Sequence, residues 1–213
     1  DALYNKPSLI AQSFKELRDV PVGVDFQRSS LFGIVGGKHK AGAPVIIDNI
    51  LAQITSSLSY TDVKIAFCFS NDIPDSTRWE YVKWLPHTWS ESKGIRYFAS
   101  NSQEISDILY ELSNVLRDRK DKAESKLHNT VKPHYLLFLY DVSMLEGELI
   151  TKYIFDGNDY GFTTFVITDY YSNLPNECEH IISNDSNFKG YYSAFNSFKP
   201  QQIRFDSVNT ASL

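Results

Sequence analysis

The sequence predicts an α/β fold, a mostly parallel sheet with helices on both faces. Three observations carry that expectation. Segments of strand length alternate with segments of helical period along the chain. The runs Leu31–Val35, Val63–Phe69 and Tyr135–Tyr140 are apolar for most of their length, as strands covered on both sides are. A glycine-bearing loop, Gly36 to Gly42, follows the first of these runs and leads into a helical pattern.

Taken in order, Ser8–Arg18 reads as a short helix capped by Ser8, within a linker over residues 1–20. Val22–Phe26 alternates like an edge strand, and Leu31–Val35 is a central one. Pro44 suits the first turn of the next helix, which shows 3–4 spacing at Val45, Ile46, Asn49, Ile50, Gln53 and Ile54. Val63–Phe69 is a buried strand, Asp75–Trp84 a short helix ending at Leu85-Pro86, and Ile95–Phe98 a strand. Ser102–Arg119 is a long amphipathic helix with Ile105, Ile108, Leu109, Leu112, Val115 and Leu116 on its inner face. Glu124–Thr130 reads as an exposed loop. Tyr135–Tyr140 is the most apolar strand, followed by Asp141, a helix over Glu146–Phe155 and a strand over Phe162–Ile167. His180–Ser183 and Gly190–Ser193 read as short edge strands.

Composition narrows the function classes. Apolar residues make up 42% of 213 residues and charged ones 22%, so a packed core needs no disulfide or metal staple. The net charge of −5 disfavours unaided nucleic-acid binding. The basic run Arg117–Lys122 contains acids and reads as a solvated helix end. No apolar run approaches the ~18 residues of a membrane span, so membrane attachment is expected only through segments outside this chain. The first residue is Asp1, not Met, from which a piece of a longer protein or a processed product is expected. Cys68 and Cys178 form no C-x-x-C pair and are expected to be reduced, and no H-E-x-x-H or G-x-S-x-G occurs. No metal site is expected.

The strand, glycine loop and helix are the parts of a P-loop, whose motif is G-x-x-x-x-G-K-[ST]. Gly37 and Gly42 have the required separation, but Ala43 stands at the lysine position and Pro44 at the hydroxyl position. A methyl group offers a triphosphate no charge. Proline offers neither hydroxyl nor backbone N–H to the helix N-terminus that cradles phosphate. Lys38 and Lys40 read as solvated loop side chains, with approach to phosphate from the loop as the alternative. Asp141, ending an apolar strand, resembles a Walker B acid that supports magnesium. A cap of the following turn is the competing role. The expected site is therefore degenerate, with no catalytic residue and no nucleotide cofactor, ATP and magnesium being disfavoured.

The stretch Trp79-Glu80-Tyr81-Val82-Lys83-Trp84-Leu85-Pro86-His87 is more specific. It resembles the W-x-x-x-K-W-L-P-H signature of the type VII (ESX) secretion ATPases, the EssC/EccC family related to FtsK/SpoIIIE. Asp19–Asp25, Leu51–Ile54, Ser59–Ala66 and Tyr110–Leu116 are similar to family segments too, and the resemblance covers residues 19–200. It implies a P-loop NTPase (RecA/FtsK)-like domain over residues 21–213, lying between the membrane helices and the first ATPase module of a long protein. It implies neighbouring ATPase modules and other secretion-machine subunits as partners, a ring-forming whole, and a place on the cytoplasmic side of the membrane. Trp79 and Trp84 are expected to pin a short helix to the sheet. Lys83 and His87 are expected near the loop or against a neighbouring module.

Overall fold

The computed structural model describes residues 6–7, 10, 20–26, 29–70, 76–124, 132–184, 188–194 and 199–208. Most of the helix expected over Ser8–Arg18, and the loop after Glu124, lie outside them. The strands are β1 (Leu31–Val35), β2 (Val63–Cys68), β3 (Phe98–Ala99), β4 (His134–Leu139), β5 (Phe162–Thr168), β6 (His180–Asn184), β7 (Lys189–Ala194) and β8 (Gln201–Arg204). They form one sheet in the order β3-β2-β4-β5-β1-β6-β7-β8. From β3 to β6 the pairing is parallel, and β7 and β8 are added antiparallel.

Every residue of β1, β2 and β5 is buried, because both faces of the sheet are covered. On one face α1 (Ala43–Ser57) lays Ile46, Ile47, Ile50, Leu51 and Ile54 over Phe32, Ile34, Ile65, Phe67, Phe138 and Phe165. The Phe138 and Phe165 rings stack at 4.6 Å on adjacent strands. On the other, α2 (Ser102–Glu124) sets Ile105, Ile108, Leu109, Leu112 and Leu116 against Ala66, Cys68, Leu137, Leu139 and Val166. The period-2 alternation of strand side chains sends neighbours to opposite faces, so each apolar strand feeds both cores. Burial pushes the Cys68 thiol up to about 12, which keeps it a protonated core side chain.

Several expectations change. Val22–Phe26 is not a strand; Phe26 instead caps the core, edge-on to Phe32 at 5.7 Å and Phe165 at 5.4 Å. The strand expected at Ile95–Phe98 shrinks to β3, with Arg96 bridging Trp89 in place of a longer ladder. Ser76–Trp84 and Pro86–Thr88 are 3-10 helices, split by extended Leu85. In place of a helix over Glu146–Phe155, a 3-10 turn spans Val142–Leu145 and the short α3 spans Thr151–Ile154. Gly147 lies between them at φ 78°, a left-handed conformation that breaks a continuous helix. β6 is an interior strand beside β1, and β8 holds the margin instead. The basic run is only partly solvated. Arg119 turns inward, its guanidinium donating to the carbonyls of Tyr160, Gly161 and Pro133 at 2.7, 2.9 and 2.6 Å.

Candidate functional site

The loop after β1 closes on itself. The Gly42 N–H donates to the Gly36 carbonyl at 2.7 Å, and the Lys40 N–H donates to that of Gly37 at 2.8 Å. A Cβ on Gly36 would meet Ala43 N and the Lys40 backbone at 2.8 Å, so the turn requires glycine there. Gly37 takes φ 69°, while His39 and Lys40 both take φ 56°, unusual for side-chain-bearing residues. Such positions cost about 1 kcal/mol or more each, which something nearby must offset.

What offsets it at Lys40 is the fate of its ammonium. The Lys40 Nζ donates to the Tyr140 carbonyl and sits 3.1 Å from Asp141 Oδ2, with the side chain only 13% exposed. It also lies 4.6 Å from the Tyr140 ring centroid. Lys40 is therefore not a solvated loop lysine, and that expectation fails; Lys38 is exposed, as expected. β1 and β4 are separated by β5, so Lys40 bridges the end of the strand between them.

Asp141 does two things at once. Its Oδ1 accepts the Ser143 N–H at 2.9 Å, capping the 3-10 turn, while Oδ2 meets Lys40. Partial burial pushes its carboxyl up, but the Ser143 hydrogen bonds and the Lys40 ammonium outweigh this and hold it below the usual carboxylate range. Ala43 faces the core, fully buried, and Pro44 occupies the first turn of α1. Asn184, at the end of β6 and 1% exposed, donates to the Gly42 carbonyl at 3.1 Å and fixes the far side of the loop.

The tryptophan-rich stretch is divided between core and surface. Trp79 is buried at 1% exposure and packs against Phe67 and Tyr140, ring centroids 5.5 Å apart in each case. Trp79 thus supports the tyrosine beneath Lys40. His87 is buried, its Nε2 bonding the Leu58 carbonyl at the end of α1 at 3.0 Å. Lys83 pairs with Glu80 at 3.0 Å. Pro86 is exposed, and so is Trp84, at 72%. The expectation that Trp84 pins the segment to the sheet fails.

Sequence reasoning missed the anchor of this segment. Asp48 of α1 is 2% exposed, and its Oδ2 accepts from Arg78 Nε at 3.2 Å and from Nη2. Its Oδ1 accepts from the Tyr81 hydroxyl at 3.3 Å; burial, with the Asp48 carboxylate adding to it, raises the Tyr81 phenol well above its usual range. An acid amid the apolar residues of α1 was the available signal. At the other end of the sheet lies a cavity of about 320 Å³, lined by Ser29, Asp156, Asp159, Cys178 and Glu179 among others. Its carboxylates disfavour an anionic ligand.

No protein-family model matches the chain. The chain is 29% identical over 162 residues to the ESX secretion system protein EccC of Geobacillus thermodenitrificans (strain NG80-2). That match covers 75% of this chain and 10% of that protein. It is 25% identical over 174 residues to the ESX secretion system protein YukB of Bacillus subtilis (strain 168), covering 79% and 11%. The chain thus spans about a tenth of the length of the curated relatives it matches. Among solved structures, the cytoplasmic domain of the Thermomonospora curvata type VII secretion ATPase EccC superposes with a TM-score of 0.65 at 12% identity. It matches 90% of this chain and 25% of that one. ATPases 2 and 3 of EssC from Geobacillus thermodenitrificans give 0.62 at 12% identity, over 87% and 42%. These structural likenesses place the fold among P-loop ATPase domains.

Proposed function

We propose that this chain, which is similar to the EssC/EccC secretion proteins, keeps the P-loop ATPase fold without running nucleotide chemistry. On this reading it is a scaffold or regulatory module of a longer, membrane-anchored type VII secretion ATPase. It passes conformational change between the membrane part and the motor modules.

The Lys40–Asp141 contact carries the reading. In hydrolytic P-loop sites a lysine reaches the terminal phosphates, a hydroxyl binds magnesium, and the Walker B acid supports the metal. Here the loop's buried ammonium already neutralises the acid, Ala43 faces the core, and Pro44 replaces the hydroxyl. The residues present do not fit a magnesium–triphosphate, and neither ATP nor magnesium is expected as a cofactor. Neighbouring ATPase modules and other secretion subunits are the proposed partners, in a ring on the cytoplasmic side of the membrane. The acidic balance speaks against nucleic acid.

A second reading draws on the same contact. Lys40 leaves Asp141, swings onto a phosphate, and Asp141 takes the metal. Phosphate-release measurements on wild type and Asp141→Asn separate the two. We expect equally negligible turnover from both; magnesium-dependent turnover in wild type that Asp141→Asn abolishes supports the second reading.

A further inference from the structure

We propose that the Trp84–Arg96–Trp89 stack beside β3 is the docking surface for another module of the same polypeptide, one that sets a carboxylate next to an apolar side chain. The proposal rests on the reading of the chain as one module of a longer secretion protein.

Within the W-x-x-x-K-W-L-P-H stretch, Trp79 and His87 are accounted for by burial. Trp84 is not: its indole is 72% exposed. It is nevertheless held in place. The Arg96 guanidinium lies 5.4 Å from the Trp84 ring and 4.1 Å from the Trp89 ring, and the Lys83 ammonium 5.7 Å from Trp84. Arg96 and Trp89 are in turn fixed by their β-bridge. An anchor already ordered by its neighbours loses little conformational freedom on binding. Tryptophan and arginine are also the residues that dominate interface energetics.

The surroundings say what kind of partner fits. Leu58, 44% exposed, is tied to this end of the molecule by the His87 bond to its carbonyl, and Pro86 is exposed beside it. Exposed apolar side chains are therefore present on either side of the His87 bond. Among the described residues the Arg96 guanidinium pairs with no carboxylate, and its contacts are the two indole rings. On a chain of net charge −5, this cationic spot is complementary to an acidic group. β3 has two residues and, among the described residues, is the last strand on its side of the sheet. The curated relatives are about ten times longer than the matched segment, so further modules of the same polypeptide are the partner in closest supply.

The test places p-benzoylphenylalanine at position 84 of the full-length protein in its membrane, followed by irradiation and mass spectrometry of the adducts. We expect an adduct at monomer mass to a peptide outside this chain's residues but within the same polypeptide, close to an Asp or Glu. Arg96→Glu should cut its yield about tenfold, as reversing a charge at an anchor does. An adduct at dimer mass, an adduct to another protein or to lipid, or none at all overturns the proposal. So does a fall in Tm on Trp84→Ala, which marks the side chain as structural. A polypeptide shown to carry no further module refutes the parent reading instead. Absence of an adduct when modules are present refutes the docking surface alone.

Discussion

Replacing Arg78 with alanine strips the guanidinium from Asp48, a carboxylate that is 2% exposed. Breaking a fully buried ion pair from one side costs about 3–5 kcal/mol. The Arg78 side chain is 40% exposed, so solvent already weakens the pair, and the Tyr81 hydroxyl remains on Oδ1. Both corrections lower the expected cost to about 2–3 kcal/mol. For a chain of this size that is a drop in Tm of about 4–12 °C. Asp48→Ala should cost less, about 1–2 kcal/mol, because a freed Arg78 rotates into water while a freed Asp48 cannot. Arg78→Lys should fall between, keeping charge but losing the paired donors. Urea midpoints and thermal melts followed by circular dichroism measure all three. An Arg78→Ala protein melting within about 1 °C of wild type, or an Asp48→Ala protein less stable than it, refutes the reasoning.

Trp79→Ala should destabilise by about 3–5 kcal/mol, read as a urea midpoint shift, since a fully buried indole between Phe67 and Tyr140 is lost. Stability should also decline as pH falls below neutrality. Burial holds the His134 imidazole below its ordinary value, with Asp159 opposing and Arg119 adding to that effect. Thr163 donates its hydroxyl hydrogen to the Phe26 carbonyl and accepts from His134 Nε2 at 2.8 Å, a contact the neutral ring makes, and burial favours that neutral form. The unfolded chain takes up the proton first. The contribution of His134 is therefore complete above about 6.5 and is lost as pH drops through its depressed folded value. Urea midpoints from pH 7 to 5 should fall, and His134→Gln should flatten that dependence.

How much was legible in the sequence follows from the physics of each signal. Long apolar runs report burial directly, so β1, β2, β4, β5 and the inner face of α2 were readable. Gln201–Arg204 has little apolar signal, because β8 sits at the margin with most of its residues exposed, and it went unseen. The 3-10 turns over Ser76–Trp84 follow no helical period that an apolar stripe would mark. In the loop, the missing lysine and hydroxyl could be read by position alone. The inward turn of Lys40 could not, because its partners lie 100 and 101 residues away in the chain. Two tryptophans five residues apart looked alike in sequence. The structure buries Trp79 and exposes Trp84, a difference set by which side of the 3-10 segment faces the sheet.

The central claim is that the Lys40 ammonium and the Asp141 carboxylate satisfy each other where a nucleotide would need both. Calorimetric titration of the chain with magnesium and a non-hydrolysable ATP analogue tests this most directly. The account predicts no saturable heat, in wild type and in Lys40→Met alike. Saturable, magnesium-dependent binding that disappears in Lys40→Met contradicts it.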